Sequence, residues 1–224
     1  YIVPAVEARQ HFAFINNFEI ILFAFFICNV LLLIFALWKI NQKNQTLLLR
    51  QAHTDALTGL LNKVYAEHTI SEWLREKDFE DLQALMMIDM DYFKQINDTY
   101  GHATGDQVLK IFAGFLKEQF RTTDIIGRVG GDEFMILMKN VRLDYSIHLH
   151  LQKLYTNLQN INIPELNGQK LSCSIGCAVA PSDAESFSQL YRLADHALYT
   201  AKHNGRGRFV IYHDIKNQQE TVLS

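Results

Sequence analysis

The sequence predicts a single α+β domain preceded by one transmembrane helix. Three features carry this prediction: an uninterrupted apolar run near the start, an alternation of strand-like and helix-like segments after it, and a Gly-Gly pair between two β-rich arms. With 224 residues, the chain has room for one domain, typically of roughly 100–200 residues, and an appendage. We place the domain at residues 55–215 and a C-terminal tail at residues 216–224.

The composition excludes several classes of protein. The 11 glycines and 3 prolines are too few for a collagen-like or low-complexity chain. A formal net charge of −3 is unlike the strongly basic domains that hold nucleic acid by charge, so we expect no nucleic-acid partner. The 3 cysteines cannot form a disulfide framework, because Cys173 and Cys177 would lie about 13 Å apart on one strand. This favours a reducing compartment for the main domain.

The apolar run at residues 20–38 predicts a transmembrane helix, which we place at residues 19–38. The run contains no charge, and Asn29 is its only plainly polar side chain. As a helix it would span about 28 Å of a hydrocarbon core about 30 Å thick. A buried core helix is the alternative, although such helices rarely stay apolar on every face. A signal peptide is disfavoured, because charges of both signs precede a run that is too long.

The flanks of this helix indicate its orientation. Lys39, Lys43 and Arg50 follow the helix without an acid among them, and the positive-inside rule therefore places the C-terminal side in the cytoplasm. Residues 1–18 are predicted to be an extracytoplasmic tail, which we interpret as the end of a longer N-terminal region. Residues 39–54 are predicted to form a helical linker.

From residue 55 onward, hydrophobic periodicity predicts the remaining elements. We expect helices at residues 55–80, 104–120, 144–160 and 186–204, and strands at residues 84–91, 169–180 and 208–213. Residues 124–139 hold two β-rich arms around Gly130 and Gly131, which is typical of a hairpin.

Two pairs of carboxylates lie where a folded domain does not normally place them. Asp89 and Asp91 end an otherwise apolar strand, where ionised acids are costly unless they are paired or bound to a metal. Asp132 and Glu133 follow the Gly-Gly pair of the hairpin. If the strand and the hairpin are neighbours in one sheet, three or four carboxylates meet at one edge, and such oxygen ligands suit Mg²⁺. The alternative is that these acids are solvated at strand ends and in a turn.

Four motifs around these acids resemble the diguanylate cyclase, or GGDEF-domain, family. The motif that names the family is present at residues 130–134 (GGDEF), and residues 89–98 (DMDYFKQIND) match its DxDxFKxxND. Residues 55–60 (DALTGL) match DxLTGL, and residues 201–206 (AKHNGR) match the closing AKxxGR. The resemblance covers the whole domain and none of the first fifty residues. It implies a palm-like nucleotide-cyclase fold, with a central, mostly antiparallel sheet flanked by helices.

The resemblance also implies an activity and a cofactor. Members of the family join two GTP into cyclic di-GMP and release two pyrophosphates. By position in the motifs, Asp89, the Met90 carbonyl and Glu133 would hold Mg²⁺, for which Mn²⁺ is an alternative, and Asp132 would lie beside the metal. Asp132 and Glu133 are therefore the implied catalytic residues. Which carboxylate accepts the proton of the ribose 3′-OH is left open by the sequence.

Other positions of the motifs would bind the triphosphate. The backbone amides around Phe93 and Lys94 would cradle phosphates at the start of a helix. Lys202 and Arg206, four apart and therefore on one helical face, would reach the outer phosphates. Without the other motifs, this basic pair would be interpreted as a solvated face of a helix.

Asn97 and Asp106 would recognise the base. A carboxylate can accept hydrogen bonds from the N1–H and the exocyclic amine of guanine, a donor pair that adenine does not present. Without the resemblance, both residues would pass for capping residues. His102 would contact the ribose or the nucleophile, with a purely structural role as the alternative.

The resemblance also bears on regulation and assembly. Arg121 and Asp124 match the inhibitory RxxD site, at which members of the family bind cyclic di-GMP; a surface ion pair is the alternative. Because each domain supplies one GTP site, the enzyme is expected to be a homodimer. Its single span would tether it to a bacterial-type inner membrane, with the catalytic domain in the cytoplasm. Lys63 and Val64 depart from the two arginines usual in the family, which concerns the coupling of domains rather than the chemistry.

Two other functions stay open at this point. One is a non-catalytic receptor that keeps GTP or cyclic di-GMP binding, although degenerate members usually lose the acids of the hairpin and both are present here. The other is a cyclase that makes a mixed adenine–guanine dinucleotide, which Asp106 disfavours.

Overall fold

The structure is a computed structural model that describes residues 22–23, 25–41, 53–76, 81–142 and 144–215. The chain divides into two compact units, Tyr1–Arg50 and Gln51–Ser224.

In the first unit, residues 25–41 form helix α1. Its large apolar side chains are exposed, and Phe35 stacks on Trp38 with ring centroids 6.0 Å apart. Among the residues that the structure describes, no helix has both the length and the apolar character that crossing a membrane requires. The span predicted at residues 19–38 therefore stays a prediction. The predicted tails, and residues 42–52 of the predicted linker, lie outside the described residues.

The second unit contains six strands and five α-helices within the described residues. The strands are β1 (Leu61–Asn62), β2 (Leu82–Met90), β3 (Ile125–Arg128), β4 (Glu133–Val141), β5 (Cys173–Ala180) and β6 (Phe209–Ile211). The helices are α2 (Lys63–Glu76), α3 (Phe93–Tyr100), α4 (His102–Gln119), α5 (Asp144–Gln159) and α6 (Phe187–His203), with a 3₁₀ turn at Pro164–Leu166.

The strands form one mixed sheet in the order β1-β3-β4-β2-β5-β6. The inner strands β3, β4, β2 and β5 pair antiparallel, whereas β1 pairs parallel with β3 and β6 pairs parallel with β5. The expectation of a mostly antiparallel sheet thus holds for the centre and not for the two edges. As a result, the end of β2 lies between the hairpin on one side and β5 on the other.

The core lies on both faces of the sheet. Successive side chains of a strand point to opposite faces, so Met86 and Ile88 of β2 pack with α3, α4 and α5, while Leu85 and Met87 pack with α2 and α6. Helix α6 lies very close to β5: a Cβ at Gly176 would come within 2.1 Å of the Ala194 carbonyl oxygen. Burial on both faces explains why β2 and β5 read as continuous apolar runs.

One predicted helix begins in the wrong place. The helix expected at residues 55–80 starts at Lys63, because residues 55–60 form a turn and residues 61–62 form strand β1 instead. The Asp55 carboxylate accepts hydrogen bonds from the Thr58 amide at 2.9 Å and the Thr58 hydroxyl at 2.6 Å, and the Asp55 amide donates to the Leu60 carbonyl. Short polar side chains that bond to nearby backbone favour turns over helix in this way. Elsewhere the predicted elements are observed with ends shifted by a few residues.

Candidate active site

The end of β2 and the start of β4 bring three carboxylates to one edge of the sheet. Asp89 faces Glu133 in the antiparallel register, and the Met90 amide donates to the Asp132 carbonyl at 3.1 Å. The expectation that the strand and the hairpin are neighbours is therefore confirmed. This edge holds Asp89, Asp132 and Glu133 as one acidic group.

Asp89 is in an unfavourable electrostatic environment within this group. Burial raises the pKa of its carboxyl, and repulsion from Asp132 and Glu133 adds to that rise. The Lys202 ammonium, whose Nζ lies 2.7 Å from Asp89 Oδ2, opposes the rise without cancelling it. The ionised form of Asp89 is therefore disfavoured in this structure, and a bound cation would stabilise it.

Asp91 does not belong to this group, which corrects the expectation that both acids of the strand converge with the hairpin. Its buried carboxylate accepts hydrogen bonds from the Ser172 hydroxyl at 2.5 Å, the Ser174 hydroxyl at 2.7 Å and the Gly207 amide at 3.0 Å. Ser172 and Ser174 lie directly before and on β5, which flanks β2 on the side opposite the hairpin, and Gly207 lies in the loop after α6. Asp91 therefore ties the end of β2 to these two segments, and both of its oxygens are already hydrogen-bonded.

The two glycines of the hairpin have different roles. A Cβ at Gly130 would lie 2.5 Å from Glu133 Oε2, so Gly130 makes room for the glutamate side chain. A Cβ at Gly131 would meet no atom within 4 Å in the described structure, and the fold itself does not require a glycine there. Open space beside Gly131 is what a ligand approaching the hairpin backbone needs.

An arginine that the sequence analysis did not single out holds the hairpin in place. Arg128 donates to the Gly131 carbonyl through Nη2 at 2.7 Å and Nε at 3.2 Å, and its Nη1 contacts both oxygens of Asp55 at 3.1 and 3.2 Å. Burial alone would raise the pKa of Asp55, but the hydrogen bonds from Thr58 and Arg128 hold it below its usual value. The turn that opens the domain is thereby tied to the acidic hairpin. A basic residue two positions before the Gly-Gly pair was the available signal.

A cavity of about 400 Å³ opens beside the acidic group. It is lined by Asp89, Met90, Tyr92, Phe93, Lys94, Gln95, Asp98, Asp132, Lys202 and Arg206. Helix α3 starts at this cavity after Tyr92, which has a left-handed backbone (φ 60°), and no side chain caps the first turn of this helix. The uncapped amides at Phe93 and Lys94 are the kind of donors that bind phosphate at helix N-termini.

Lys202 and Arg206 both reach this cavity, but not from one helical face. Helix α6 ends at His203, and Arg206 adopts a left-handed conformation (φ 61°) in the loop beyond it. The Arg206 guanidinium lies 5.4 Å from the centre of the Tyr92 ring, within the range of a cation–π contact. The prediction of a shared helical face is therefore wrong, although two cations do converge on the cavity.

Comparison with known proteins settles the family. Residues 52–208 match the family model described as Diguanylate cyclase, GGDEF domain. The chain belongs to the GGDEF family. The palm-like α+β fold expected from the resemblance is thereby shown, with the mixed sheet described above.

Relatives of this GGDEF protein come from several bacteria. The Uncharacterized protein YhcK of Bacillus subtilis is 40% identical over 162 residues, which are 70% of this chain and 45% of that protein. The Probable diguanylate cyclase DgcT of Escherichia coli is 34% identical over 174 residues, which are 74% of this chain and 37% of that protein. The chain thus spans less than half the length of these curated relatives.

A solved structure shows the same architecture. The coiled coil and GGDEF domain of DgcB from Caulobacter crescentus, in complex with c-di-GMP, is 26% identical and superposes with a TM-score of 0.71. The match covers 79% of this chain and 94% of that chain.

The predicted base-recognition residues of the GGDEF domain lie apart from the cavity lining. Asn97 on α3 packs against Gly105 on α4, where a Cβ would come within 1.9 Å of Asn97 Oδ1. The next residue, Asp106, is exposed, as is His102 at the start of α4. The close contact of α3 with α4 thus brings Asn97 beside the backbone that carries Asp106.

The predicted inhibitory pair lies at a second place on the GGDEF domain. The Asp124 carboxylate accepts from the backbone amides of Arg121 at 2.9 Å and Lys139 at 3.0 Å, so it fixes the turn before β3 rather than pairing with the Arg121 guanidinium. The exposed Arg121 side chain lines a cavity of about 610 Å³ together with Arg142 and His150. The expected alternative, a surface ion pair between Arg121 and Asp124, is not formed in the described structure.

Proposed function

We propose that this chain is a membrane-anchored diguanylate cyclase that condenses two GTP into cyclic di-GMP and two pyrophosphates. The observation that carries the proposal is the acidic group: Asp89 faces Glu133 across two paired strands, with Asp132 at the adjoining turn. Lys202 and Arg206 reach the cavity beside it. Acids and cations meeting at one cavity suit a metal-bound triphosphate.

Asp89, the Met90 carbonyl, Asp132 and Glu133 would hold Mg²⁺, or Mn²⁺ in its place. The donor set fits a hard divalent ion, because all of its atoms are oxygens. Burial, together with repulsion from Asp132 and Glu133, raises the pKa of Asp89, and a bound cation would oppose that rise. When bound, the ion would polarise the phosphate and lower the pKa of the attacking hydroxyl. The Lys202 ammonium occupies one oxygen of Asp89, so Lys202 is expected to turn from Asp89 to the phosphates when the ion binds.

In the proposed reaction, the ribose 3′-oxygen of one GTP forms a bond to the α-phosphorus of the other. The bond from that phosphorus to the pyrophosphate oxygen breaks, and the hydroxyl proton passes to Asp132 or Glu133. The amides at Phe93 and Lys94, with Lys202 and Arg206, would hold the leaving phosphates. A second attack in the opposite sense closes the ring.

Guanine would be read by Asn97 and Asp106, with His102 near the ribose. The packing of Asn97 against Gly105 supports a shared position for the amide and the carboxylate. Because Asp106 offers only acceptors, it would favour guanine over adenine.

Assembly and control complete the proposal. One GTP site per domain requires two domains face to face, so the working form would be a homodimer in the bacterial inner membrane, with its catalytic domain in the cytoplasm. Arg121 and Asp124 would form the inhibitory product site, which the cavity beside Arg121 supports. The apolar side chains exposed along α1 support an anchor through residues 19–38.

Product analysis tests the activity. The full chain, purified in mild detergent, is incubated with GTP or ATP and Mg²⁺, and the products are identified by mass. We expect cyclic di-GMP and pyrophosphate from GTP, with no product from ATP and none from the Glu133→Gln variant. The matched control is Glu118→Gln, which changes an exposed glutamate on α4 outside the site and should leave turnover unchanged.

Two outcomes would contradict the proposal. A folded dimer that binds GTP without forming product would be a receptor and not a cyclase. Turnover retained by E133Q would show that the metal ligands are assigned wrongly.

A further inference from the structure

A second group of metal-ligating side chains lies outside the acidic site. His148 belongs to α5, and His213 and Asp214 belong to a helical turn at residues 212–215 that follows β6. One ligand atom from each of the three residues lies within 4.8 Å of those of the others. The group joins two segments that are far apart in the sequence.

Both imidazole nitrogens lie close to the Asp214 carboxylate, within ion-pair range but farther than a good hydrogen bond. His148 Nε2 lies 3.6 Å from Asp214 Oδ2, and His213 Nε2 lies 3.4 Å from Asp214 Oδ1. A good N–H···O hydrogen bond measures about 2.7–3.2 Å, so both separations are too long for one. Two ligands that bind one tetrahedral ion at about 2.0–2.2 Å lie about 3.4 Å apart. Each imidazole nitrogen lies at about such a distance from one of the two oxygens of Asp214, and one ligand atom from each residue lies within 4.8 Å of those of the others.

The group is both accessible and partly held in place. The side chains of His148, His213 and Asp214 are 31%, 21% and 42% exposed, so an ion can enter from solvent. The His148 ring packs edge-on against Phe209 of β6, with centroids 5.9 Å apart. A packed ring loses little further freedom when its nitrogen binds an ion, which favours binding.

We propose that His148, His213 and Asp214 form a second metal site, for an ion of the Zn²⁺ class. Two imidazole nitrogens and one carboxylate are ligands typical of zinc, with water in the fourth position, whereas Mg²⁺ and Ca²⁺ prefer oxygen alone. The site therefore takes a different class of ion from the all-oxygen group at Asp89.

A bound ion would fasten the segment after β6 to α5. Strand β6 is short and lies at the edge of the sheet, and the loop before it contributes the Gly207 amide to Asp91. Fastening both ends of this strand would stabilise the domain and the loop that carries Arg206. This inference goes beyond the proposed function, because none of the three residues lines either of the two cavities described above.

Cobalt binding tests the proposal directly. The full chain, made without a histidine tag, is titrated with Co²⁺, and visible absorption is recorded. We expect one equivalent to give the absorption of a tetrahedral site, and His148→Ala and His213→Ala each to weaken that binding roughly tenfold or more. Zn²⁺ should raise the melting temperature of the wild type and not of these variants.

Two controls separate this site from other sources of signal. His68→Ala removes an exposed histidine on α2 and should keep the Co²⁺ absorption. Glu133→Gln alters the acidic group and should also keep it. Circular dichroism and cyclase turnover show whether the histidine variants fold. The proposal is overturned if the wild type gives no such absorption, if the absorption survives both histidine variants, or if it disappears in E133Q.

Discussion

Asp89 and Asp91 lie two residues apart in the sequence but in very different surroundings. Asp91 accepts three hydrogen bonds, from Ser172, Ser174 and Gly207, whereas Asp89 has one cation and two acidic neighbours. Removing a carboxylate that is fully hydrogen-bonded costs stability, while removing one that is electrostatically strained does not. A functional site often carries this kind of local strain.

We therefore expect opposite effects from two matched substitutions. Asp91→Asn should lower the free energy of unfolding by about 2 kcal/mol, because hydrogen bonds to a buried charge are lost. Asp89→Asn should leave that free energy unchanged or raise it, and should abolish turnover. Urea denaturation of the full chain measures the free energy of unfolding, and product analysis measures turnover. Equal loss of stability in both variants would contradict this account.

The burial of His150 predicts how the free energy of unfolding depends on pH. Burial lowers the pKa of its imidazole, aided by Lys153 and Arg121 and opposed by Asp124, and its Nε2 is buried without a hydrogen-bond partner in the described structure. The unfolded chain therefore binds a proton more readily than the folded one, and stability must fall as the pH drops below about 6.5.

Two substitutions at this position test the pH dependence. His150→Phe, which can pack on Phe120 as the imidazole does, and His150→Gln should both reduce the loss of stability between pH 7.5 and pH 5.5, the window in which the unperturbed imidazole titrates. Urea denaturation at the two pH values measures this loss. A loss as large as that of the wild type in both variants would remove His150 as its cause.

At the scale of elements, the contact of α3 with α4 depends on one glycine. A Cβ at Gly105 would collide with the Asn97 side chain, whereas a Cβ at Gly114, on the same helix, would meet nothing within 4 Å in the described structure. The two glycines thus provide a matched pair within α4.

Gly105→Ala should displace Asn97 and raise the KM for GTP by about tenfold, the equivalent of one lost hydrogen bond to substrate. Gly114→Ala should leave KM unchanged and stabilise the protein by about 0.5–1 kcal/mol, because alanine favours helix over the unfolded chain. Steady-state kinetics and urea denaturation measure the two effects. Unchanged KM in G105A would mean that Asn97 does not contact the nucleotide.

Most of the strands and helices could be predicted from the sequence because their buried residues follow simple periods. The buried run of β2 and the Gly-Gly hairpin indicated that their acids would meet if the two were neighbours in one sheet, and the register of Asp89 with Glu133 meets that condition. The predictions that failed concern residues whose conformation or surroundings depend on a side-chain hydrogen bond or on partners distant in the sequence. Leucines at residues 57, 60 and 61 imitate a helical face, but the Asp55 carboxylate fixes a turn there. The partners of Asp91 lie at residues 172–174 and 207, and no local pattern announces them.

At the scale of the whole molecule, one domain offers one set of acids for a product that contains two nucleotides. In the proposed reaction each 3′-oxygen must reach the phosphorus held by the other domain, so an isolated chain cannot close the ring. The specific activity should therefore depend on the total concentration of the chain, as for any obligate assembly.

We expect turnover per chain to fall on dilution at saturating GTP, and to stay constant when a covalent cross-link between α1 helices holds two chains together. An excess of Glu133→Gln should suppress the wild type, because mixed pairs contain only one competent site, while an equal excess of the active Glu118→Gln control should not. Pyrophosphate release measures turnover per chain in the dilution series, in the cross-linked protein and in the mixtures with each variant. If turnover per chain is independent of concentration and E133Q has no effect on the wild type, the paired arrangement is wrong even where cyclic di-GMP is formed.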